Sequence, residues 1–344
     1  TEFSLTGPVF GDTLGWLAGN ILGDITSTGT ATTPTGTLSA SSIIGATSVS
    51  SSVSIPNGTL IQIDVGNLAE IVTTSGVPTG AGPFTIPVPA LTKAHSSGVA
   101  ITAITTPNTH AISTLNSGQG QPTSHTFTHY QGTPAGTGTR QYPGACLSEL
   151  GLKWNAETQL FTFDAKGSSW PSVIAGATPT PAPSTVTPIA SWRAILGIGG
   201  PASGGTLVKT ITDGEITIKR KLEVVFTAQN LQVPYIIQRG AVSVEGKLNF
   251  IAADESAFTT MLNNTQPQLQ LIVDNGVAGA GQIRITIDCQ NAAYLTSKYD
   301  AGKEAVAYQV AFKAIANTTN AGASGGYSPT KVTLINAVAA GTYL

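Results

Sequence analysis

Two long runs of strict alternation constrain this chain more than any other feature. In EITIKRKLEVVFTA, Ile216, Ile218, Leu222, Val224, Phe226 and Ala228 fall on one face, while Glu215, Thr217, Lys219, Lys221, Glu223 and Thr227 fall on the other. Arg220 breaks the apolar face. A period of two with one apolar and one charged face is a half-buried strand. After a connector containing Gln232 and Pro234, AVSVEGKLNFIA repeats the pattern, with Val242, Val244, Leu248 and Phe250 set against Ser243, Glu245, Lys247 and Asn249. Asp254 then offers a side-chain acceptor to cap a short helix, along one side of which Phe258, Met261 and Leu262 recur. Strand, strand and capped helix predict one packing unit.

The rest of the chain agrees with a mainly β protein. Of 344 residues only 10% are charged, and 39 Gly and 20 Pro accompany abundant Thr, Ser, Ala, Val and Ile. Such a mixture suits strands joined by polar turns. The formal charge of -2 is far from that of a nucleic-acid-coating surface, which is basic, and too small for a charge-driven disordered chain. Cys146 and Cys289 each sit in a strand-like run, so two reduced, buried thiols are expected. No stretch approaches the ~18 apolar residues of a membrane helix, and the first residues lack the basic start of a signal peptide.

Taken in order, Trp16, Leu17, Ile21 and Leu22 predict a short apolar helix over Leu14–Leu22, ended by Gly23 and too short to stand alone. Thr26 to Thr37 reads as a Thr/Gly/Pro linker. From Leu38 to Thr105 the short runs SVSSSVSI, TLIQIDV, AEIVTTSGV, FTIPV and GVAITAI predict a small, separate antiparallel β domain. Thr106 to Tyr142 reads as extended loop with a strand at Ser124 to Tyr130, and Val173 to Pro188 as a second loop. ACLSELGLKW and QLFTFDAKG form a predicted hairpin, and QLQLIVD, QIRITIDCQN, EAVAYQVAFKA and KVTLINAV supply four further strands. The boundaries are therefore an arm at 1–37, an inserted β domain at 38–105 and a main β domain at 106–344. Gly-Ala pairs at 144–145 and 240–241 hint that the last of these holds two tandem units.

Motifs of chemistry are sparse. GIGGPASGG, from Gly197 to Gly205, lacks the Lys-Ser/Thr ending and following helix of a phosphate loop and reads as a turn. His125, Phe127 and His129 share one strand face, but no acid or thiol stands at ligand spacing, so hydrogen-bonded or solvent-facing histidines are expected. Glu215, Glu223, Glu245 and Asp288 alternate with Lys219, Lys221, Lys247 and Arg284, which predicts cross-strand ion pairs on a solvated sheet face. No nucleophile, metal or cofactor motif appears; an enzyme and a cofactor are not expected.

HAISTLNSGQGQPTSHTFTHYQG with RQYPGACLSELGLKWNAETQLFTFDAKGSSWPS, the run ITIKRKLEVVFTAQNLQVPYIIQRGAVSVEGKLNF, the stretch WLAGNILGD and the ending GYSPTKVTLINAV resemble the tail tube (major tail) proteins of long-tailed bacteriophages. That resemblance implies a β-sandwich or barrel with a flanking short helix, plus the small additional β domain at 38–105. It also implies subunits joined into rings, three-fold or six-fold, stacked into a hollow tube for DNA. Partners would be further copies, the tape measure, tail tip and terminator proteins, and DNA in transit, without a membrane. The protein would be made in the bacterial cytoplasm and reside in the virion. Balanced charges suit a lumen along which DNA slides, so Glu215, Thr217, Lys219, Lys221, Glu223, Glu245 and Lys247 are the expected lumen-facing residues. The competing expectation is a secreted or surface β-domain binding protein for carbohydrate or receptor, marked by aromatics clustered in a concave face.

Overall fold

A computed structural model describes the chain except at 66–67, 117–120, 131–138, 158, 175–182, 205, 229, 303–304, 340–341 and 344, and except for the side chain at 280. The first half runs β1 (Glu2–Pro8), α1 (Leu14–Leu22), β2 (Gly23–Thr37), β3 (Ser48–Ser51), β4 (Leu60–Ile63), β5 (Glu70–Thr73), β6 (Phe84–Pro87), β7 (Ala100–Thr114), β8 (His125–His129), β9 (Arg140–Asn155) and β10 (Thr162–Ser168). The second half runs β11 (Val173–Ile174), β12 (Ala194–Ile198), β13 (Ile211–Val225), β14 (Ile236–Ile251), α2 (Ser256–Leu262), β15 (Leu269–Asp274), β16 (Arg284–Cys289), β17 (Ala292–Asp300), β18 (Ala307–Ala314) and β19 (Lys331–Asn336).

The strands build a two-sheet sandwich and a small third sheet in which β3 pairs with β6. One sheet follows the order β1-β10-β9-β13-β14-β18-β17, with β8 and β11 attached to β9; the other follows β12-β15-β16-β19-β7-β4-β5, with β2 on β7. Every ladder along the first path is antiparallel. Alternation along β13 and β14 turns Ile216, Ile218, Val244 and Leu248 inward, where they meet Leu271, Val273, Ile285, Ile287, Val332 and Leu334 of the second sheet in one core. Each such side chain contributes about 1.5–3 kcal/mol on burial. Gly246 leaves room for the Phe312 ring, which a side chain there would strike.

The α1 helix packs into this core through Leu14, Ala18, Ile21 and Leu22, and ends at Gly23, whose φ of 97° is the left-handed conformation that favours glycine. Its Asn20 side chain donates to Ala145 O at 2.9 Å and accepts from Leu147 N at 2.8 Å, stitching it to β9. Two buried arginines hold the same C-terminal end. Arg220 Nη1 donates to Ile21 O and Arg239 Nη1 to Asn20 O, each at 2.8 Å. Cations there complement the negative end of the helix dipole.

A second core, formed by Leu38, Val49, Ile55, Ile61, Ile63, Ile86, Val88, Leu91 and Ile101, lies among β3 to β7. The stretch Thr26 to Thr37, expected as linker, is instead the greater part of β2, and residues expected as loop after Thr106 continue β7 to Thr114. The two strands pair from Gly23↔Thr114 to Thr37↔Ala100. Parts of the expected loops, at 117–120, 131–138 and 175–182, lie outside the described residues.

Two further expectations need adjustment. The strand β14 begins at Ile236, inside the expected connector, and β13 stops at Val225, leaving Phe226 and Ala228 exposed beyond it. Asp254 Oδ1 does accept from Ser256 N at 2.8 Å at the start of α2, yet only Ala257 of that helix is buried, and Phe258 and Leu262 face solvent. Cys146 and Cys289 are free and buried, as expected.

Candidate functional site: the charged face of the large sheet

The face of the large sheet turned away from the core carries acids and bases in alternation, both along and across the strands. Lys166 stands opposite Glu149, and Glu149 opposite Lys219. One step along, Asp164, Gly151, Thr217, Glu245 and Lys313 lie in register; a further step brings Lys153, Glu215 and Lys247 into line. Ion pairs cross this pattern: Lys153 Nζ–Asp164 Oδ2 at 2.6 Å, Lys219 Nζ–Glu245 Oε2 at 2.8 Å, Lys166 Nζ–Glu149 Oε1 at 3.2 Å and Lys247 Nζ–Glu215 Oε1 at 3.4 Å.

The charges respond as their partners dictate. The hydrogen bond to Glu245 raises the Lys219 pKa, and the same bond lowers that of Glu245. The Asp164 bond does the same for Lys153. All these groups meet solvent, so each pair contributes about 1 kcal/mol or less to stability. Their effect is to cancel local charge.

Of the seven residues expected to share this face, Glu215, Lys219, Glu245 and Lys247 meet in ion pairs and Thr217 lies opposite Glu245. Lys221 and Glu223 continue the same side of β13 past the register shift between Arg220 and Leu222, are exposed, and join none of these pairs. Arg284 pairs with Asp274 at 2.7 Å, whereas Asp288 takes Gln268 and Gln270 as partners.

Other expected features resolve as plain structure. His125 Nδ1 meets Asn20 Nδ2 at 2.7 Å, and burial followed by the nearby Arg239 charge lowers its pKa; His129 is exposed. Among the described residues no group of three or more His, Cys, Asp and Glu could hold a metal, and no helix is long and apolar enough to cross a membrane. The Gly197–Gly204 segment folds back onto β15, Ala202 N donating to Gln270 Oε1 at 3.1 Å.

Sequence reasoning missed two buried polar clusters. One is the Arg220–Arg239 pair, which also places Arg239 Nη2 3.0 Å from Cys146 Sγ; the lone arginine on an apolar strand face was its signal. In the other, Glu70 accepts from Thr92 N at 2.7 Å, Thr92 Oγ1 at 3.0 Å and Lys93 N at 3.1 Å. His95 lies between the two carboxylates of this cluster, 3.0 Å from Glu70 and 3.5 Å from Asp64. Nothing in the spacing of Asp64, Glu70 and His95 marks it.

The described residues thus form an antiparallel sandwich with a broad, charge-balanced face on its larger sheet. A comparison with curated proteins gave no match. The family model for the phage tail tube protein, however, matches residues 1–314 of 344. The chain belongs to that family and is a structural protein of a phage tail.

Proposed function

We propose that copies of this protein join side by side into rings, that the rings stack into a hollow tail tube, and that the charged face of the large sheet lines the lumen through which DNA passes. The supporting observation is the alternation of acid and base on that face, with Lys219–Glu245 and Lys247–Glu215 at its centre. DNA binds a cationic wall by releasing counterions, with an affinity that grows with each phosphate contacted. A wall whose lysines are already matched by carboxylates repels and attracts the backbone in equal measure, so the strand slides. Glu215, Thr217, Lys219, Lys221, Glu223, Glu245 and Lys247 are the lumen residues in this reading. The tube meets tape measure, tail tip and terminator proteins, and the virion tail is its location. Residues 38–105, with their own core, form an appended β domain outside the wall, carried between the arm at 1–37 and the tube-building part at 106–344.

Negative-stain images of the purified protein over a range of concentrations, beside sedimentation, test the assembly. Hollow stacked rings are expected, and their averages count the subunits. A chain that stays monomeric even with a tail-tip extract contradicts the reading. The lumen assignment is tested with Thr217→Cys and Ser97→Cys: a bulky maleimide should label both in the monomer but only Cys at 97 in tubes. Equal labelling at both positions in tubes would place the charged face outside.

A further inference from the structure

We propose that the stretch after β19 is a latch whose key, Tyr343, seats α1 in the sandwich, and that a chain with α1 unseated stays out of the tube. The second half of this statement rests on the tube reading above; the latch itself does not.

The latch is anchored at Asn336, the buried last residue of β19. Its Oδ1 accepts from Val338 N at 2.9 Å, which turns the chain back, and its Nδ2 donates to Gly11 O at 2.7 Å and to the Tyr343 hydroxyl at 3.0 Å. Val338 O accepts in turn from Asn108 Nδ2 at 2.9 Å and from His110 Nε2 at 3.0 Å. A carbonyl only accepts, so Nε2 carries the His110 proton and Nδ1 accepts from Ser27 Oγ at 2.7 Å.

From this anchor Tyr343 enters as a wedge. It is buried, and its hydroxyl donates to Asp12 O at 2.7 Å, just ahead of the helix. The ring stands edge-to-face with Trp16 of α1, centroids 5.7 Å apart, and with His110 of β7 at 5.0 Å. Gly15 makes the slot, since a Cβ there would strike three atoms of the Tyr343 ring; one at Gly19 would meet Ile25 and the Tyr343 carbonyl. Two glycines in a nine-residue helix weaken it. So short a helix is held by what packs on it.

The seat reaches the charged sheet through the arginines. The carbonyls of Asn20 and Ile21 receive Arg239 and Arg220, which stand on β14 and β13, the strands that carry the Lys219–Glu245 pair. If α1 leaves, two buried guanidinium groups lose acceptors, and the cost falls on those strands. Timing follows from sequence order. Asp12 and Tyr343 are 331 residues apart, and β19, just before the latch, is the strand that joins β16 to β7 in the second sheet. Both lie past residue 314, outside the span matched by the family. A helix made early therefore waits unseated until the latch has been made, which withholds growing chains from polymerisation.

Hydrogen exchange on the full chain, at a concentration too low for rings, tests the latch. In Tyr343→Ala the α1 amides should exchange roughly a hundredfold faster, while β16 and the centre of β14 keep their protection. Equal acceleration throughout the sandwich would make Tyr343 an ordinary core residue and overturn the inference. Gly15→Ala is the second measure. It should loosen α1 in the parent chain, but in the Tyr343→Ala chain, where the slot is empty, the better helix former should leave α1 no looser or tighten it. Equal loosening in both backgrounds would show that the ring is not the wedge. In negative stain, Tyr343→Ala should need a severalfold higher concentration than the parent to form tubes. Tubes at the parental concentration, with α1 loosened, would overturn the control of assembly and leave the latch. A parent chain that forms no tubes would overturn the tube reading and that control with it, while exchange still decides the latch.

Discussion

The charged face of the large sheet, which is the wall in the proposed tube, and the small β module around the second core both set carboxylates against cations, but in opposite surroundings. On the wall, the Lys219 and Glu245 side chains are 46% and 42% exposed, whereas those of His95 and Glu70 in the module are 0% and 7% exposed. Water already solvates the wall charges, so pairing them changes the field at the surface and hardly changes stability. In the module, Glu70 has exchanged water for two backbone amides, the Thr92 hydroxyl and His95, and losing it removes the acceptor that faces the buried His95 and returns the Thr92 and Lys93 groups to water. The same residue types thus dress a surface in one place and tie loops together in the other.

The sharpest break of this contrast is Glu70→Ala. Removing one member of a buried charged cluster costs about 3–5 kcal/mol, and hydrogen exchange should accelerate in β4 and β5 while β13 and β14 keep their protection. Equal loss in all four strands would show that the two cores unfold as one unit. Acid provides a milder break. Burial alone would raise the Glu70 pKa, but the Thr92 amide, His95, the Thr92 hydroxyl and the Lys93 amide together bring it below its ordinary 4.5. The unfolded chain then takes up the proton first. The stabilisation is complete above about 4.5 and fades as pH falls through the lower folded value. Exchange measured from pH 6 down toward 3 should show the module loosening before β13 and β14; simultaneous loosening would remove the distinction. The smallest effect belongs to the wall. Lys219→Ala should shift stability by about 1 kcal/mol or less, seen as a melting temperature close to that of the parent protein.

The strands of the wall were legible because one face of each meets the core and the other meets water, which imposes a period of two on the residues. β13, β14, β16 and β18 all carry that signature, and so did the charges of the candidate site, as alternate positions on the same strands. β2 does not carry it. From Thr28 to Thr37 it has water on most sides, so its Thr, Gly and Pro residues show no apolar alternation and look like a linker, although Thr is at home in strands. The first residues of β14 were hidden for the opposite reason. Arg239 is buried there through bonds to the Asn20 carbonyl and the Cys146 sulfur, partners remote in sequence. The Glu70 cluster likewise depends on the loop at 92–95 folding back over β5. The apolar side of α2 was legible as a pattern, but its surroundings were not: the helix lies beside β17 with Phe258 and Leu262 still exposed among the described residues.

The long pairing of β2 with β7 has a mechanical consequence. A module hung on a single flexible segment would swing through a wide cone, whereas one carried on two hydrogen-bonded strands that also belong to the body's own sheet behaves as a cantilever. Bending it means distorting a ladder that runs, with register shifts at Gly29/Thr30 and Ala31/Thr35, from Gly23↔Thr114 to Thr37↔Ala100, and pulling on it divides the load between two strands of the one chain. The second core therefore keeps one attitude to the sandwich, and any regular array of these chains would repeat that attitude at every copy.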